Sequence, residues 1–328
     1  MLSAGTNCLV TGGAGFIGSH LVDKLVEMGC RVRVLDNLST GNMENLGEST
    51  RAIEFIGADL RDESVCQAAV RDIEVIFHLA ALPSVARSME DPWGTHETNV
   101  NGTMHLLLAA REHGVRRIVF SSSSSVYGDT PTLPKIETVE PLPRSPYAVS
   151  KLTGEQYVCA FARAQMLEGV ALRYFNIFGP RQDPNSAYAA VIAAFVQAGL
   201  VNTSVEIFGD GGQTRDFTYV ENAVQANLLA ASGPVEQVSG QVVNVGAGAR
   251  TSLLQLLSMI RDACQADIPA RHAAPRPGDV RDSLASLDRV REVLGYEPTV
   301  SLKDGLEKTV AWMRDHLPHA ARPIEVHR

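Results

Sequence analysis

The segment Thr11-Gly12-Gly13-Ala14-Gly15-Phe16-Ile17-Gly18 decides the fold of this 328-residue chain. It follows the apolar run Cys8–Val10, which is typical of a buried strand, and it precedes Ser19–Met28, whose apolar residues recur at helical spacing. A glycine-rich turn between a strand and a helix lets the backbone approach a pyrophosphate at the helix N-terminus. The sequence therefore predicts a dinucleotide site in this turn.

Strand-like and helix-like segments alternate beyond this turn. The strand-like segments are Arg31–Leu35, Glu54–Ile56, Val75–Leu79 and Arg117–Phe120, with helical segments at about 62–71 and 92–113. Such alternation favours parallel strands joined by right-handed crossovers. We expect an α/β fold with a doubly wound parallel sheet (Rossmann) over residues 1–180, to which residues 217–248 return. A smaller C-terminal α/β domain for the substrate is expected over residues 181–328.

Composition is that of an ordinary globular protein, with 45% hydrophobic and 20% charged residues. The 29 Lys and Arg residues against 37 Asp and Glu give a net charge of −8, so we expect no nucleic-acid partner. No apolar stretch is long enough to cross a bilayer, and we expect no membrane association. The pattern of histidines and carboxylates indicates no metal site.

The cysteines and the N-terminal residues indicate the cellular compartment in which the protein is expected to lie. The five cysteines are scattered without a Cys-x-x-Cys pair, which favours buried thiols over disulfides or zinc. The first residues run directly into a strand and lack a signal-peptide pattern. We therefore expect a cytoplasmic protein.

Asp36 indicates which dinucleotide binds. It ends the strand-like segment Arg31–Leu35, 18 residues after Gly18. A carboxylate at this place accepts hydrogen bonds from the adenosine ribose and repels a 2′-phosphate. The sequence therefore predicts NAD rather than NADP.

Tyr147 and Lys151 form the candidate reactive pair. Four residues apart on a helix, they share one face. An ammonium beside a phenol favours the phenolate and lowers its pKa from about 10 towards neutrality, and a nicotinamide cation acts in the same direction. Tyr147 is therefore predicted to be a general base. The serine run Ser121–Ser125 follows a strand, where ligands bind in such sheets.

Together these motifs resemble the extended short-chain dehydrogenase/reductase family, and more narrowly its nucleotide-sugar epimerases and dehydratases. The resemblance covers nearly the whole chain. It is carried by Thr11–Gly18, Asp36–Gly41, Asp59-Leu60, His78–Ala81, Asn99–Thr103, Ser121–Gly128, Tyr147–Lys151, Arg173–Asn176, Thr214–Val220 and Arg276–Asp279.

The resemblance implies a role for each matching residue. Tyr147 would be the base, Lys151 would bind the nicotinamide ribose, and Ser123 would be the catalytic serine. The implied cofactor contacts are Gly12, Gly15, Phe16, Ile17, Gly18, Asp36, Asn37, Ser39, Gly41, Asp59, Leu60, Leu79, Ala80, Ala81, Asn99, Tyr147, Lys151 and Tyr174. The implied substrate contacts are Ser84, Arg87, Ser123, Ser124, Ser125, Tyr147, Asn176, Ala190, Val191, Ile207, Phe208, Arg215, Arg276, Asp279 and Ser283.

Ser124 and Ser125 favour one reaction among those of the family. Dehydratases of this family carry an acidic pair at these two positions, and decarboxylases tend to carry Glu at the second. Serine is not an acid or base near pH 7, so the resemblance implies 4-epimerisation through a 4-keto sugar. A dehydratase, a decarboxylase and a catalytically silent NAD-binding protein remain the alternatives.

Ser283 bears on the substrate. In the family, the residue five positions after the glycine of Arg276–Asp279 is a large aromatic in enzymes restricted to plain hexoses and small in those that accept N-acetyl sugars. Serine there leaves room for an acetamido group. The segments Arg181–Asn185, Ala187–Ile192 and Gly278–Leu284 resemble bacterial UDP-N-acetylglucosamine 4-epimerases, and UDP-glucose is implied as a further substrate. A UDP-uronic acid 4-epimerase is the alternative, in which Arg87 would meet the C6 carboxylate. The resemblance also implies a homodimer through the helices at about 92–113 and 147–165.

Three residues are assigned to the core. His78 lies in an apolar strand and is expected to be a hydrogen-bonded packing residue rather than an acid or base. Trp93 and Phe175 are likewise expected to pack rather than to stack on a ligand.

Overall fold

The computed structural model describes residues 2–184, 191–274 and 280–316. Its strands, numbered in chain order, are β1 Asn7–Thr11, β2 Arg31–Leu35, β3 Ile53–Ile56, β4 Val75–His78, β5 Arg117–Ser123, β6 Glu168–Tyr174, β7 Ile177–Phe178, β8 Val205–Phe208, β9 Thr214–Arg215, β10 Thr218–Tyr219, β11 Gln241–Val245, β12 Thr251–Ser252 and β13 Ala270–Ala273. Its helices are α1 Phe16–Glu27, α2 Glu63–Ala69, α3 Val85–Glu90, α4 Pro92–His96, α5 Gly102–Glu112, α6 Pro146–Arg163, α7 Val191–Leu200, α8 Val220–Ser232, α9 Val235–Val238, α10 Leu253–Cys264, α11 Asp288–Leu294 and α12 Leu302–His316.

Seven of these strands form one parallel sheet in the order β3-β2-β1-β4-β5-β6-β11. The strand order reverses direction beside β1, which confirms the predicted doubly wound α/β fold. In such sheets a crevice opens at the carboxyl ends of the strands on either side of the reversal. β11 pairs with β6, so the chain returns to this sheet after leaving it.

Helices cover both faces of the sheet because its strands are apolar on both sides. Along β1, Cys8 and Val10 contact the layer that contains α1, α8 and α11, whereas Leu9 contacts the layer of α2, α5 and α6. This alternation follows from the two-residue repeat of a strand. The sheet is thus buried between two hydrophobic layers.

A second lobe has its own core. Phe195, Ile207, Leu256 and Val310 pack there, from α7, β8, α10 and α12. β8 pairs with β13 in parallel, and β9 pairs with β12 antiparallel. The lobe stands beside the carboxyl ends of the sheet strands, since β7, which follows β6 directly, pairs with β10 from the same region.

Several local expectations are confirmed and others corrected. The five cysteines are free and buried, and Phe175 is fully buried, as predicted. Trp93 was expected to pack rather than to stack on a ligand, but it is 65% exposed and stacks on His96 of the same helix. The serine run was expected to follow β5, yet Ser121–Ser123 belong to β5 because they pair with β6 residues 172–174.

The helical segment predicted at 92–113 is divided. A π-helical turn at Glu97–Asn101 separates α4 from α5. Across the described residues, no helix combines the length and apolarity needed to cross a membrane.

Candidate active site

The glycine turn is built from close backbone contacts. Gly12 has φ +71°, and a Cβ there would lie 2.7 Å from the backbone N of Ala80. A Cβ on Gly18 would lie 2.1 Å from the carbonyl O of Gly12. Gly12 is therefore required for the turn to approach the loop after β4, and Gly18 is required for α1 to approach the turn.

The N-terminus of α1 is suited to a phosphate. Gly15 is its N-cap residue, and among the described residues no side chain caps its N–H groups. A Cβ on Gly15 would approach only the carbonyl O of Gly12, at 3.1 Å. Uncapped N–H groups and the positive end of the helix dipole favour an anion here. The residues present thus fit the pyrophosphate of a dinucleotide.

Asp36 supports the turn as well as facing the ribose position. Its Oδ2 accepts from the Ala14 N–H at 3.0 Å, and its Oδ1 accepts from the Leu38 N–H at 2.8 Å. Burial raises the pKa of Asp36, and these two hydrogen bonds oppose that shift. The carboxylate lies directly after β2, where the ribose of a dinucleotide binds.

A second carboxylate, Asp59, lies on the loop after β3 and is predicted by the resemblance to contact the cofactor. Asp59 accepts from the Arg61 guanidinium at 2.9 Å and from the Asn37 amide at 2.7 Å. The hydrogen bond from Arg61 lowers the pKa of Asp59 to about 2. Asn37 in turn accepts from the Ser39 N–H at 3.0 Å. The loop after β2, which carries Asn37 and Ser39, is therefore joined by a hydrogen bond to the loop after β3, which carries Asp59.

His78 is the packing residue that the sequence predicted. Its two ring nitrogens lie 2.7 Å from Thr11 Oγ1 and 2.9 Å from Thr103 Oγ1. Burial lowers the pKa of His78 to about 3, so the ring is neutral. Thr11 Oγ1 also accepts from the Ala80 N–H at 3.2 Å, which fixes the loop after β4.

Asn99 orders the same loop from the π-helical turn. Its Oδ1 accepts from the Leu82 N–H at 2.8 Å, and its Nδ2 donates to Ser150 Oγ on α6 at 3.0 Å. Asn99 thus connects the loop of Leu79, Ala80 and Ala81 to the helix that carries Tyr147. Its place in the structure is that of a residue that orders the loop, as the resemblance implies.

The reactive residues meet where β5 ends. The hydroxyl group of Tyr147 lies close enough to Ser123 for the serine to oppose the rise of its pKa. Ser125 Oγ donates to Ser123 Oγ at 2.9 Å. Lys151 Nζ donates to the Ser121 carbonyl O at 2.8 Å. Ser124 begins a 3₁₀ turn, Ser124–Tyr127, that carries the chain away from the sheet.

The pKa of Tyr147 differs in direction from the sequence prediction. Burial raises it, and the hydrogen bond with Ser123 opposes the rise. Burial also lowers the pKa of Lys151 to about 7. The Lys151 ammonium points to the Ser121 carbonyl, and desolvation disfavours the charged form of both side chains. The predicted lowering of the phenol pKa by Lys151 is therefore wrong for the protein alone.

A cavity of about 310 Å³ opens in the second lobe next to β7. It contains the predicted substrate residues Asn176, Val191, Phe208 and Arg215. Ile207 is fully buried behind this wall. Aromatic and apolar walls with a few polar groups are typical of small-molecule sites.

Sequence reasoning missed other residues of this cavity. They are Ile177, Phe178, Ile192, Ala194, Phe195, Glu206, Gln213, Phe217 and Leu253. Glu206 and Gln213 are recognisable only by their neighbours in sequence, Ile207-Phe208 and Thr214-Arg215. That adjacency is the signal that could have found them.

Asp216 joins the segments around the cavity. Its carboxylate accepts from the N–H groups of Ala247 at 2.8 Å, Gly248 at 3.1 Å and Ala285 at 3.0 Å. Its carbonyl O accepts from Asn176 Nδ2 at 3.3 Å. Asp216 is fully buried and was also missed from the sequence.

Ser283 lies on the segment that Asp216 holds. Its N–H donates to the Thr214 carbonyl O at 3.1 Å, so it stands beside the strand of Arg215. The side chain is largely buried but is not part of the cavity wall.

The other predicted residues lie apart from the cavity. Ser84 caps α3 by accepting from the Arg87 N–H at 3.1 Å, and both lie on the sheet lobe. Tyr174 OH, at the end of β6, accepts from Asn227 Nδ2 at 2.6 Å and bonds with Ser121. Ala190, Arg276 and Asp279 lie outside the described residues. Among the described residues, no cluster of three His, Cys, Asp or Glu side chains could hold a metal ion.

The fold and this site define an extended short-chain dehydrogenase/reductase. The family model for "NAD dependent epimerase/dehydratase family" matches residues 8–246. The chain therefore belongs to the NAD-dependent epimerase/dehydratase family, and its cofactor is NAD.

Characterised relatives match along almost the whole chain. The UDP-glucose 4-epimerase of Mycolicibacterium smegmatis is 43% identical over 311 residues, which cover 94% of this chain and 98% of that one. A crystal structure of UDP-glucose 4-epimerase with UDP-glucose from Thermotoga maritima is 41% identical with a TM-score of 0.91, covering 95% and 100% of the two chains. The UDP-N-acetylglucosamine 4-epimerase of Methanobrevibacter ruminantium, in complex with UDP-N-acetylmuramic acid, is 39% identical with a TM-score of 0.90, covering 95% and 99%.

Proposed function

We propose that this chain is an NAD-dependent 4-epimerase of UDP-sugars, acting on UDP-N-acetylhexosamines and also on UDP-hexoses. The observation that carries the proposal is the end of β5, where Tyr147 lies beside Ser123, and where Ser123 is followed in the turn by Ser124 and Ser125. Several relatives that are similar along almost the whole chain are 4-epimerases of UDP-glucose or UDP-N-acetylglucosamine, which supports the same class of substrate.

Tyr147 and Ser123 would move the proton of the sugar O4 hydroxyl. When bound, NAD supplies the acceptor for the C4 hydride and a positive charge that favours the Tyr147 phenolate. Because burial raises the pKa of the phenol in the protein alone, the base forms only in the loaded site. The Ser123 hydroxyl would form a hydrogen bond with the same sugar oxygen, O4, and would so hold O4 beside the Tyr147 phenol.

Serine at positions 124 and 125 favours epimerisation over elimination. Loss of water or carboxylate from the sugar needs a further acid or base, and a serine hydroxyl does not titrate near pH 7. The 4-keto sugar would therefore turn and be reduced on its opposite face, with Tyr147 returning the proton to O4. The cofactor ends each cycle in its starting state.

The cavity next to β7 would hold the uridine diphosphate. Arg215 lines it, and a guanidinium suits the paired oxygens of a diphosphate. Phe208, the last residue of β8, lines the same cavity and would offer an apolar wall to the base. Ser283 lies beside the strand of Arg215, and we propose that its small side chain would leave room for an acetamido group at C2 of the sugar, although it is not part of the cavity wall.

We further propose a homodimer through the helices that carry Trp93 and Val149. Trp93 on α4 and Met89 on α3 are 65% and 64% exposed, and Val149 and Tyr157 on α6 are also exposed. Contiguous exposed apolar side chains mark interaction sites. The free, buried cysteines fit a reducing compartment such as the cytoplasm.

The deciding experiment is a panel of UDP-hexoses, UDP-N-acetylhexosamines and the corresponding uronic acids, with products resolved by NMR. We expect the C4 epimers of UDP-N-acetylglucosamine and UDP-glucose, without net reduction of NAD. Loss of water or of carbon dioxide would identify a dehydratase or decarboxylase instead. Turnover of the uronic acids alone would identify a uronic acid epimerase, and no turnover at all would contradict the proposal.

A further inference from the structure

Glu155 lies on the same face of α6 as Tyr147 and Lys151, one helical turn beyond Lys151. It is fully buried, with 0% of the residue exposed. Its Oε2 accepts from Ser122 Oγ on β5 at 2.8 Å and from Arg173 Nε on β6 at 2.9 Å. Its Oε1 accepts from Arg173 Nη2 at 2.6 Å.

Three consecutive residues of β5 therefore each face one residue of this helical face. Ser121 accepts from Lys151, Ser122 donates to Glu155, and Ser123 lies beside the hydroxyl of Tyr147. Together, the three contacts fix the position of α6 along the direction of β5. Tyr147 and Lys151 are proposed to contact the sugar and the cofactor. Glu155 is the residue of the three that is not proposed to contact either ligand.

The Arg173–Glu155 pair extends this connection to the next strand. Arg173 pairs with Ser122 across β5 and β6, so a single guanidinium and carboxylate join both strands to the helix. The Arg173 guanidinium also lies over the Tyr127 ring, 4.7 Å from its centroid. The pair thus stands directly beneath the end of β5 where the chemistry is proposed.

Stability alone does not account for this pair. Both side chains are almost completely buried, and Arg173 Nη1 has no hydrogen-bond partner among the described residues. Removing two charges from water costs free energy that an incompletely bonded pair does not fully recover, and apolar replacements of such pairs are often neutral or stabilising. We therefore attribute the pair to the precise placement of α6 against β5 and β6 that it imposes.

We propose that Glu155 is a positioning residue that, with Arg173, sets the height of α6 against β5 and thereby the contact between Tyr147 and Ser123. This inference rests on the proposed function, since it concerns the geometry of that reaction. The carboxylate acts through Ser122 and the helix, and it does not touch the substrate. A displacement of about 1 Å in such a pair can cost as much as about a hundredfold in rate.

The chain offers a matched control at the other end of the same two strands. Arg117 at the start of β5 pairs with Glu168 at the start of β6, at 2.7 Å. Arg117 Nη1 also donates to the carbonyl O atoms of Ala230, Ala231 and Gly233, where α8 ends. This pair stabilises a helix end far from the reactive residues.

The experiment replaces each pair by methionines, which keep the volume without charge. For Glu155→Met/Arg173→Met we expect kcat to fall at least about tenfold. We expect KM and bound NAD to stay within about twofold and the melting temperature to be kept or raised. For Glu168→Met/Arg117→Met we expect a lower melting temperature with kcat within about twofold. Unchanged kcat in the first variant would overturn the proposal, whereas a wild-type enzyme without epimerase activity would instead overturn the proposed function.

Glu155→Gln and Glu155→Asp cover the case in which the methionine variant does not fold. Glutamine keeps the shape and the bond from Ser122 but weakens the pair, and aspartate keeps the charge but shortens the reach. If position matters, both lower kcat and shift the acidic limb of its pH profile, with KM unchanged. A wild-type kcat and pH profile in both variants would overturn the proposal.

Discussion

Asp216 Oδ2 accepts a hydrogen bond from the Ala285 N–H at 3.0 Å, across 69 residues of sequence. The bond ties the strand of Arg215 to the segment of Ser283. Desolvation by complete burial raises the pKa of Asp216 to about 6, although its hydrogen bonds with backbone N–H groups oppose the rise. The two walls proposed to hold the substrate are thus joined by a carboxylate that titrates near neutrality.

This raised pKa predicts how stability depends on pH. The folded protein binds the proton of Asp216 more tightly than the unfolded chain does, since the ordinary pKa is 3.8. The free energy of unfolding should therefore fall as the pH rises from about 4 to about 6, by about 3 kcal/mol from this group. Urea unfolding of wild type and Asp216→Asn across this range measures the difference. A difference that does not change with pH would contradict the raised pKa.

Tyr147→Phe removes only the phenol hydroxyl, which is the proposed proton acceptor and the group beside Ser123. We expect kcat to fall at least about a hundredfold, because general base catalysis is lost, while bound NAD is kept. The matched control is Tyr157→Phe, a tyrosine exposed on the same helix, which should keep wild-type turnover. Near-wild-type turnover in Tyr147→Phe would show that another base operates.

Asp36 predicts which nucleotide the purified protein carries. Denaturation should release NAD and not NADP, since the carboxylate after β2 repels a 2′-phosphate. Asp36→Asn removes that charge and should reduce the preference for NAD, as measured by titration of both nucleotides. Asp62→Asn, which alters an exposed helix cap instead, should leave the preference unchanged. Mainly NADP in the wild-type extract would contradict the assignment.

Ser283→Tyr tests the proposed discrimination at C2. A tyrosine ring would occupy the volume of an acetamido group, and such overpacking typically costs about 1 to 3 kcal/mol. The value of kcat/KM for UDP-N-acetylglucosamine should fall about tenfold to a hundredfold more than that for UDP-glucose. Both sugars are neutral and share the diphosphate, so electrostatics predicts no such difference. An equal fall for both substrates would remove Ser283 from this role.

Val149→Glu tests the proposed dimer. A charge at the centre of the exposed apolar surface should shift the mass in light scattering from two chains to one. Leu254→Glu on α10 changes an equally exposed leucine of the second lobe and should leave the mass unchanged. A wild-type protein of one chain at working concentration would contradict the dimer.

Local patterns were sufficient for the glycine turn and the order of the elements. The glycine spacing between a strand and a helix is a pattern of a few residues, although the close contact of Gly12 is with Ala80, far along the chain. The local sequence does not predict a strand at Ser121–Ser123, because serine has little preference for strands. These residues are held in β5 by pairing with β6.

Burial and long-range contacts account for what the sequence could not predict. The spacing of Tyr147 and Lys151 indicates one helical face, but the direction of each pKa depends on how deeply the sheet and helix bury them. Asp216 meets partners about 30 and 69 residues away in sequence, which no local pattern joins. Glu155 continues the four-residue spacing after Lys151, so helical periodicity could have identified it.

The residues proposed to transfer the proton and those proposed to bind the substrate lie on different elements. This separation affects how the substrate specificity of such a protein can evolve. Tyr147 and Ser123 lie on α6 and β5, whereas Arg215 and Ser283 lie on short segments of the second lobe that pair with each other. Mutations in those segments can alter which sugar is accepted and leave proton transfer intact. New specificities can therefore arise in a lineage by single substitutions in the second lobe, without an intermediate that has lost its chemistry.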